Sequence, residues 1–235
     1  MPPSSPMRSS LTIYVDCVSP YSWFGITSLL KYRPALLAHG VTVDIVPFFL
    51  GGARDAAGNP WTPTPKWKEA FSKQDSEMTG ELLGLKIVQP AEFPILSLFV
   101  GLTIFLFGPV RVATYIKNHH PASKFEASFL ALVSSYWSLG INISKPEGIK
   151  RALSPIFNEL EIEDIMEKAV SFENKKELLD RTKESQAFGA PWIVGVDRRG
   201  EKKMWFGNDR WDQVFWHLGV PFKGVEVLVG WESKM

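Results

Sequence analysis

The 235-residue chain has a single cysteine, Cys17, so it forms no disulfide within itself and assembles no cysteine-based zinc site from one copy. A two-cysteine redox mechanism is thereby excluded, and a reducing compartment suits the composition. An excess of one charge is also missing, since 26 lysines and arginines stand against 25 acidic residues. That balance removes the broad basic footprint of a nucleic-acid or membrane-surface binder, while a small, polar, partly anionic ligand stays open. No apolar run is long enough to span a membrane: the longest, Ile95 to Phe107, covers about 13 residues before Gly108-Pro109, which suits a buried helix. Met1 to Ser10 is rich in proline and serine and has no apolar centre, so it reads as a tail and not as a signal or transit peptide. Without a secretory signal, the glycosylation-like Asn142-Ile143-Ser144 reads as chance. With 45% hydrophobic and 22% charged residues, the remainder has the composition of a globular protein with a sizeable core.

Leu11 to Val15 carries the β-branched and aromatic bias of a buried strand. From Tyr21 the period becomes helical through Trp23, Ile26, Leu29, Leu30 and Leu37, with Gly40 as a stop, and Val41 to Phe49 reads as a second strand. Strand, helix and strand in this space form a βαβ unit with parallel strands. Gly51 to Pro65 reads as a loop. Helix is predicted over Lys66 to Met78, Ile95 to Asn118, Lys124 to Leu139, Pro146 to Glu159, Ile162 to Phe172 and Lys175 to Phe188. Trp192 to Val196 and Lys203 to Phe206 flank the turn Asp197-Arg198-Arg199-Gly200 as a hairpin. Asn208 or Asp209 then stands where a helix over Arg210 to Leu218 needs its N-cap. The order βαβ, helical insert, ββα predicts an α/β thioredoxin-like fold with a large helical insertion. Its thioredoxin-like part is expected over 11–50 and 189–220, with the inserted helices over 66–188 and tails at 1–10 and 221–235.

Ser19-Pro20-Tyr21-Ser22-Trp23 lies where the first strand runs into the first helix, and free N–H groups with the helix dipole favour negative charge there. A hydroxyl at that point either caps the helix, as Ser19 or Ser22 equally would, or donates to a bound thiol and holds it as thiolate. Pro191, in Gly189-Ala190-Pro191-Trp192, is either a strand-initiating trans proline or a cis proline that leaves the Ala190 main chain open to an extended ligand. Asn208-Asp209 serves as a cap or as a recogniser of an amino-acid head group, with Asp209 taking the ammonium. Asn59 and Lys68 flank the proline-rich loop, and each alone reads as a solvated surface residue. His119 and His120 are adjacent, so on a helix they diverge by about 100° and share no metal. Cys17 reads as a small buried hydrophobe. Phe99, Phe105, Phe107, Phe125, Phe129, Tyr136 and Trp137 read first as core.

Taken together, Asp16, Ser19-Pro20-Tyr21-Ser22-Trp23, Gly58-Asn59 with Lys68, Phe93-Pro94, Phe188-Gly189-Ala190-Pro191 and Phe206-Gly207-Asn208-Asp209-Arg210 resemble the kappa-class glutathione transferases. That family includes the 2-hydroxychromene-2-carboxylate isomerases and has a DsbA-like fold, and the resemblance runs from Leu11 to about Leu218 in order. It implies that glutathione lies against Ser19, Pro20, Tyr21, Asn59, Lys68, Ala190, Pro191, Asn208 and Asp209. Ser19 takes the place of the family's catalytic serine, Lys68 suits the glycyl carboxylate, the Ala190 main chain meets the cysteinyl part, and Asn208-Asp209 holds the γ-glutamyl end. The resemblance also implies a homodimer. This chain departs from the isomerase-like pattern at Ile95-Leu96-Ser97 and Leu98 to Leu102, where polar groups for an anionic second substrate are absent.

The function expected is therefore a kappa-type glutathione transferase whose thiolate attacks a small apolar electrophile or reduces a peroxide. A glutathione-dependent isomerase shares the same cofactor site, and a non-catalytic binding protein keeps the fold alone. A DsbA-like disulfide oxidase is disfavoured because Ser19 and Ser22 stand where that chemistry needs cysteines. Ser233-Lys234-Met235 differs from the peroxisomal Ser-Lys-Leu address by one apolar side chain, so a peroxisomal or cytoplasmic location is expected ahead of a mitochondrial one.

Overall fold

Alternation along β1 (Ser10–Val15) buries Leu11, Ile13 and Val15 on one face, and this strand is internal to the sheet. The computed structural model describes residues 8–60, 62, 65–88, 90 and 108–225. In the four-stranded sheet the order is β2-β1-β3-β4, with β2 at Thr42–Pro47, β3 at Trp192–Val196 and β4 at Lys202–Phe206. β1 runs parallel to β2 and antiparallel to β3, which is antiparallel to β4. The register pairs Val15 with Pro47, Tyr14 with Trp192 and Trp192 with Phe206. The segments after β1, after β2, before β3 and after β4 consequently meet at one end of the sheet.

The helix α1 (Pro20–Ala38) starts there and buries Trp23, Ile26, Leu29 and Leu36. Leu37, expected on that stripe, is 55% exposed because Leu36, a heptad after Leu29, takes the inward position. Gly25 lets α1 lie against the turn before β3: a Cβ on it would sit 2.9 Å from Pro191 Cγ and 3.1 Å from Ile13 Cδ1.

Asp16 joins the end of β1 to what surrounds it. Its Oδ1 accepts the Val18 N–H at 2.9 Å, its Oδ2 accepts the Leu50 N–H at 2.8 Å, and its own N–H donates to Ser22 Oγ at 3.1 Å. The bond to Leu50 helps explain one departure from expectation. Leu50–Ala56 forms a helix, α2, inside the stretch that reads as a loop. Gly51 and Gly52 are there for space and not for a turn, since a Cβ on either would meet the Phe49 ring at 2.7 or 2.6 Å.

Helices α3 (Lys66–Leu82), α4 (Gly108–His119), α5 (Ala122–Trp137), α6 (Pro146–Leu153), α7 (Glu159–Ala169) and α8 (Phe172–Ser185) follow before β3, and α9 (Trp211–Leu218) comes after β4. The helix expected over Pro146 to Glu159 ends at Leu153, and the one expected from Ile162 starts earlier, at Glu159. Pro155 follows the end of α6, and Asn158 with Glu161 makes a reciprocal capping box that starts α7. Likewise α8 starts at Phe172 because Ser171 Oγ accepts the Asn174 N–H, and it ends at Gln186 in the left-handed conformation, short of the expected Phe188. Of the helix expected over Ile95 to Asn118, residues 95–107 lie outside the described residues, as do Phe93-Pro94, Phe99, Phe105 and Ser233-Lys234-Met235.

Residues from α1, from α4 to α9 and from all four strands form one apolar cluster, in which Phe125, Phe129, Tyr136 and Trp137 are buried as expected. A smaller cluster of Phe48, Ala53, Ala187, Ala190 and Trp192 lies under the end where the segments meet. Arg111, buried on α4, donates to the carbonyls of Ala169 at 2.8 Å and Ser171 at 2.9 Å and so fixes the α7–α8 corner. No described helix is long and apolar enough to cross a membrane.

Burial pushes the Asp16 carboxyl up to about 6, although its two main-chain hydrogen bonds act the other way. Because the folded value lies above the unfolded one, Asp16 contributes full stability below about pH 4 and loses it as pH rises through 6. Urea titrations of wild type and Asp16→Asn are expected to show the wild type losing about 2 kcal/mol relative to the variant between pH 4.5 and 7.5. A pH-independent difference would refute the assignment. Separately, Gly25→Ala is expected to cost about 1–3 kcal/mol by the same measurement, since neither the Pro191 ring nor buried Ile13 gives way freely.

Candidate active site

Ser19, 6% exposed, is the N-cap of α1: its backbone is extended and its Oγ accepts the Ser22 N–H at 3.3 Å. The Ser19 hydroxyl proton finds no acceptor among the described residues, so capping leaves the oxygen free to donate. Ser22 is fully buried and its oxygen is committed to the Asp16 N–H. The two serines thus separate into one with a free proton at the helix start and one that holds the loop. No acidic residue occupies the first turn of α1, and the Tyr21 N–H takes no partner among the described residues. The positive end of the helix therefore faces the position beside Ser19 without a counter-charge from its own first turn. Cys17 is buried, and desolvation followed by the nearby Asp16 pushes its thiol up, which keeps it protonated and inert.

Tyr21 Oη donates to Asp75 Oδ2 at 2.8 Å, which pins α3 to the start of α1. Burial, then that hydrogen bond, raises the Tyr21 hydroxyl well above its usual range. Sequence reading missed Asp75, because nothing local distinguishes it from the other charges of α3. Lys68, exposed and seven residues earlier on α3, is on the same side of the helix two turns away. Asn59 is exposed, and its Nδ2 reaches the Phe188 carbonyl at 3.4 Å, so the segment after α2 touches the turn before β3.

In that turn the Ala190-Pro191 peptide is cis. The main chain of Ala190 makes no hydrogen bond among the described residues, whereas the Pro191 carbonyl accepts the Gly207 N–H at 3.1 Å. That bond brings the start of α9 alongside. Asn208 and Asp209 do not cap α9, contrary to the cap reading: Arg210 holds the cap position without a side-chain bond. Gly207, with φ of +94°, turns the chain so that Asn208 Oδ1 instead accepts from Trp211 Nε1 at 3.3 Å, and Asp209 pairs with Arg210 at 3.1 Å. Both remain exposed or half-exposed at the same sheet end, where the first N–H groups of α9 carry no side-chain cap. The half-exposed rings of Phe188 and Phe206, with centroids 5.0 Å apart, make an apolar wall beside the cis peptide.

One end of the sheet thus collects Ser19 at a bare helix start, an unpaired stretch of extended main chain at Ala190, Asn59, and a second helix start with Asn208-Asp209. Lys68 stands farther out on α3. Such a cleft suits an extended ligand with an anionic sulfur at one point, peptide groups along its length and charged ends. Among the described residues the one cluster with metal-ligand spacing, Asp197, Glu201 and His217, lies at the opposite end of the sheet, where Arg199 and Lys203 already neutralise its carboxylates.

Comparison with known proteins bears on the fold and the family. The chain is 26% identical to glutathione S-transferase kappa 2 of Caenorhabditis elegans over 229 residues, covering 93% of this chain and 96% of that protein. It is 25% identical to human glutathione S-transferase kappa 1 over 224 residues, covering 93% and 95%. Among solved structures, a 2-hydroxychromene-2-carboxylate isomerase superposes with a TM-score of 0.65 at 20% identity, over 89% of this chain and 94% of the isomerase. The family model for the DSBA-like thioredoxin domain matches residues 10–219, which take in the whole sheet and both helix starts of the cleft. The chain therefore belongs to the DSBA-like thioredoxin-domain family.

Proposed function

We propose that the protein is a glutathione transferase of the kappa type, with Ser19 holding the glutathione sulfur as thiolate. The observation that carries this reading is the split role of the Ser19 hydroxyl, whose oxygen accepts from Ser22 while its proton stays free at the start of α1. Serine supplies no base strong enough to remove the thiol proton at neutral pH, so the proton leaves to solvent and the environment sets how readily it does. Lowering a thiol from about 9 by two units raises its ionised fraction at neutral pH by one to two orders of magnitude. The thiolate sulfur then bonds to an electrophilic carbon, with the electron pair passing to a leaving group or to the rest of an acceptor double bond. With a peroxide, the sulfur attacks one oxygen, the O–O bond breaks, and a second glutathione reduces the resulting sulfenic acid to glutathione disulfide and water.

Glutathione fits the cleft with its cysteinyl main chain paired to Ala190, its γ-glutamyl end at Asn208-Asp209 and the start of α9, and its glycyl carboxylate toward Lys68, with Asn59 alongside. Pro20 and Tyr21 border the sulfur. The wall of Phe188 and Phe206 favours an apolar electrophile. A homodimer belongs to the same reading. The superposition with a 2-hydroxychromene-2-carboxylate isomerase supports a second reading, in which the thiolate adds to the substrate and is later released unchanged. Product analysis separates the two, because a stable conjugate accumulates only in transfer.

Ser19→Ala is expected to keep glutathione binding within a few-fold and to lower turnover of an aromatic electrophile roughly 10- to 100-fold, the loss of one hydrogen bond to a charged atom. Unchanged turnover would remove Ser19 from the chemistry. In calorimetry with reduced glutathione, Asp209→Ala is expected to weaken binding about tenfold, or 1.4 kcal/mol. No wild-type binding at several millimolar would leave the fold standing and the enzyme reading without support.

A further inference from the structure

At the end of the sheet away from the cleft, where β1 and β2 begin and β3 ends, a cavity of about 540 Å³ opens. Arg8, Ser9 and Thr42 line it from the start of the sheet, Leu37 and Gly40 from the end of α1, and Arg198 from the β3–β4 turn. Its size is that of a small-molecule site.

Both arginines are exposed, and neither has an ion-pair partner among the described residues. Arg198 Nη2 donates to the His39 carbonyl at 3.1 Å, which caps the end of α1 and leaves the rest of its fork without a partner among the described residues. The carboxylates at this end of the sheet are already taken: Asp197 by Arg199, Glu201 by Arg199 and Lys203, and Asp44 on β2 by Lys117. Two positive groups therefore face the cavity uncancelled by the described chain, in a protein whose net charge is only +1. On the cavity wall Ser9 is 1% exposed, and its Oγ has no hydrogen-bond partner among the described residues. A buried hydroxyl left so is costly, and an acceptor entering the cavity removes the cost. The Ser9 main chain is fixed meanwhile, since its carbonyl accepts the Thr42 N–H at 2.9 Å and Thr42 Oγ1 at 3.3 Å. The other wall is apolar and roomy: Leu37 is 55% exposed, and a Cβ on Gly40 would meet nothing within 4 Å.

The donors select the anion. A carboxylate has two oxygens, which a single guanidinium fork satisfies. Two forks and a hydroxyl match the three terminal oxygens of a phosphate monoester, whose charge at neutral pH also approaches that of two arginines. We propose that this cavity binds a small phosphate monoester, with its phosphate between Arg8 and Arg198, Ser9 Oγ as a further donor and its organic body against Leu37. The length of β1, about 20 Å, separates this site from the cleft, so it stands whatever ligand the cleft takes.

Calorimetric titration of the full chain with phenyl phosphate is expected to show saturable, low-millimolar binding, tighter than that of benzoate. Arg8→Ala and Arg198→Ala are each expected to weaken it about tenfold with circular dichroism unchanged, since both positions are exposed. Ser9→Ala is expected to weaken it about threefold. Lys202→Ala removes an exposed cation of β4 that does not line the cavity, and it serves as the control that leaves binding unchanged. No saturable binding at several millimolar overturns the proposal, as does binding that survives both arginine substitutions or that Lys202→Ala weakens equally. Benzoate binding as tightly as phenyl phosphate overturns the choice of anion. Displacement of phenyl phosphate by reduced glutathione would put the probe in the cleft, which overturns this site and not the glutathione reading. Vesicles containing phosphatidic acid are expected to retain wild type and the Arg8→Ala, Arg198→Ala double variant alike; retention lost in the double variant would make the phosphate a lipid headgroup and overturn the small-molecule assignment.

Discussion

A buried carboxylate held only by main-chain donors sits at the end of β1, and the geometry of the cleft hangs on it. Asp16 receives Val18 on the way into α1 and Leu50 at the start of α2, while its own N–H is held by Ser22. Three segments that the sheet merely brings near one another are thereby fixed in relative position. No cation among the described residues compensates it, and its upward shift to about 6 has desolvation as the first cause. A structure optimised for stability alone would replace such a group with an apolar one or pair it. Its retention makes sense as positioning: the loop Cys17–Ser19 is short and rigid, so the Ser19 hydroxyl meets the helix start at one angle and not several.

From that joint, simple forces are enough for the chemistry. A hydrogen bond from a hydroxyl to a thiolate contributes about 1.5–3 kcal/mol, and a helix start about 0.3–1 kcal/mol, more where partly buried. Two units of thiol acidity need about 2.7 kcal/mol. The cleft requires no base, no metal and no strained residue to reach that figure. It requires that the sulfur be held still, and in the proposed mode of binding that falls to the main chain of Ala190 and to the second helix start at Asn208-Asp209. Phe188, Trp192 and Phe206 pack around Gly189, where a Cβ would lie within the Phe206 ring contact, so the turn that offers Ala190 is itself held in place by aromatic packing.

Much of this was legible in the sequence, and the failures have physical causes. β3 is bounded as expected at Trp192–Val196, because β-branched and aromatic residues between turn signals leave few alternatives. Gly51-Gly52 misled because a glycine needed for room looks the same as a glycine needed for a turn; only the Phe49 ring distinguishes them. The helix expected across Pro146 to Glu159 ignored Ser154-Pro155 and the Asn158–Glu161 box, signals that were present in the sequence. Asn208-Asp209 has the composition of a cap, yet Gly207 in the left-handed region shifts the helix start past both. Asp75 could not have been found at all: its role comes from Tyr21, 54 residues away, and contacts of that separation leave no local pattern.

The helix that carries Asp75, α3, shows how one element can serve packing and a ligand cleft at once. Its period gives three usable faces: Ser76 and Gly80 are small where the segment after α3 must approach, Asp75 and Lys68 are charged where the cleft lies, and Trp67, Phe71, Met78 and Leu82 are apolar and exposed. Among the described residues, the chief polar tie of α3 to the rest of the fold is the bond from Tyr21 at the start of α1. A helix tied at one point retains freedom to tilt, and a ligand that pairs with Lys68 must remove that freedom at a cost in entropy.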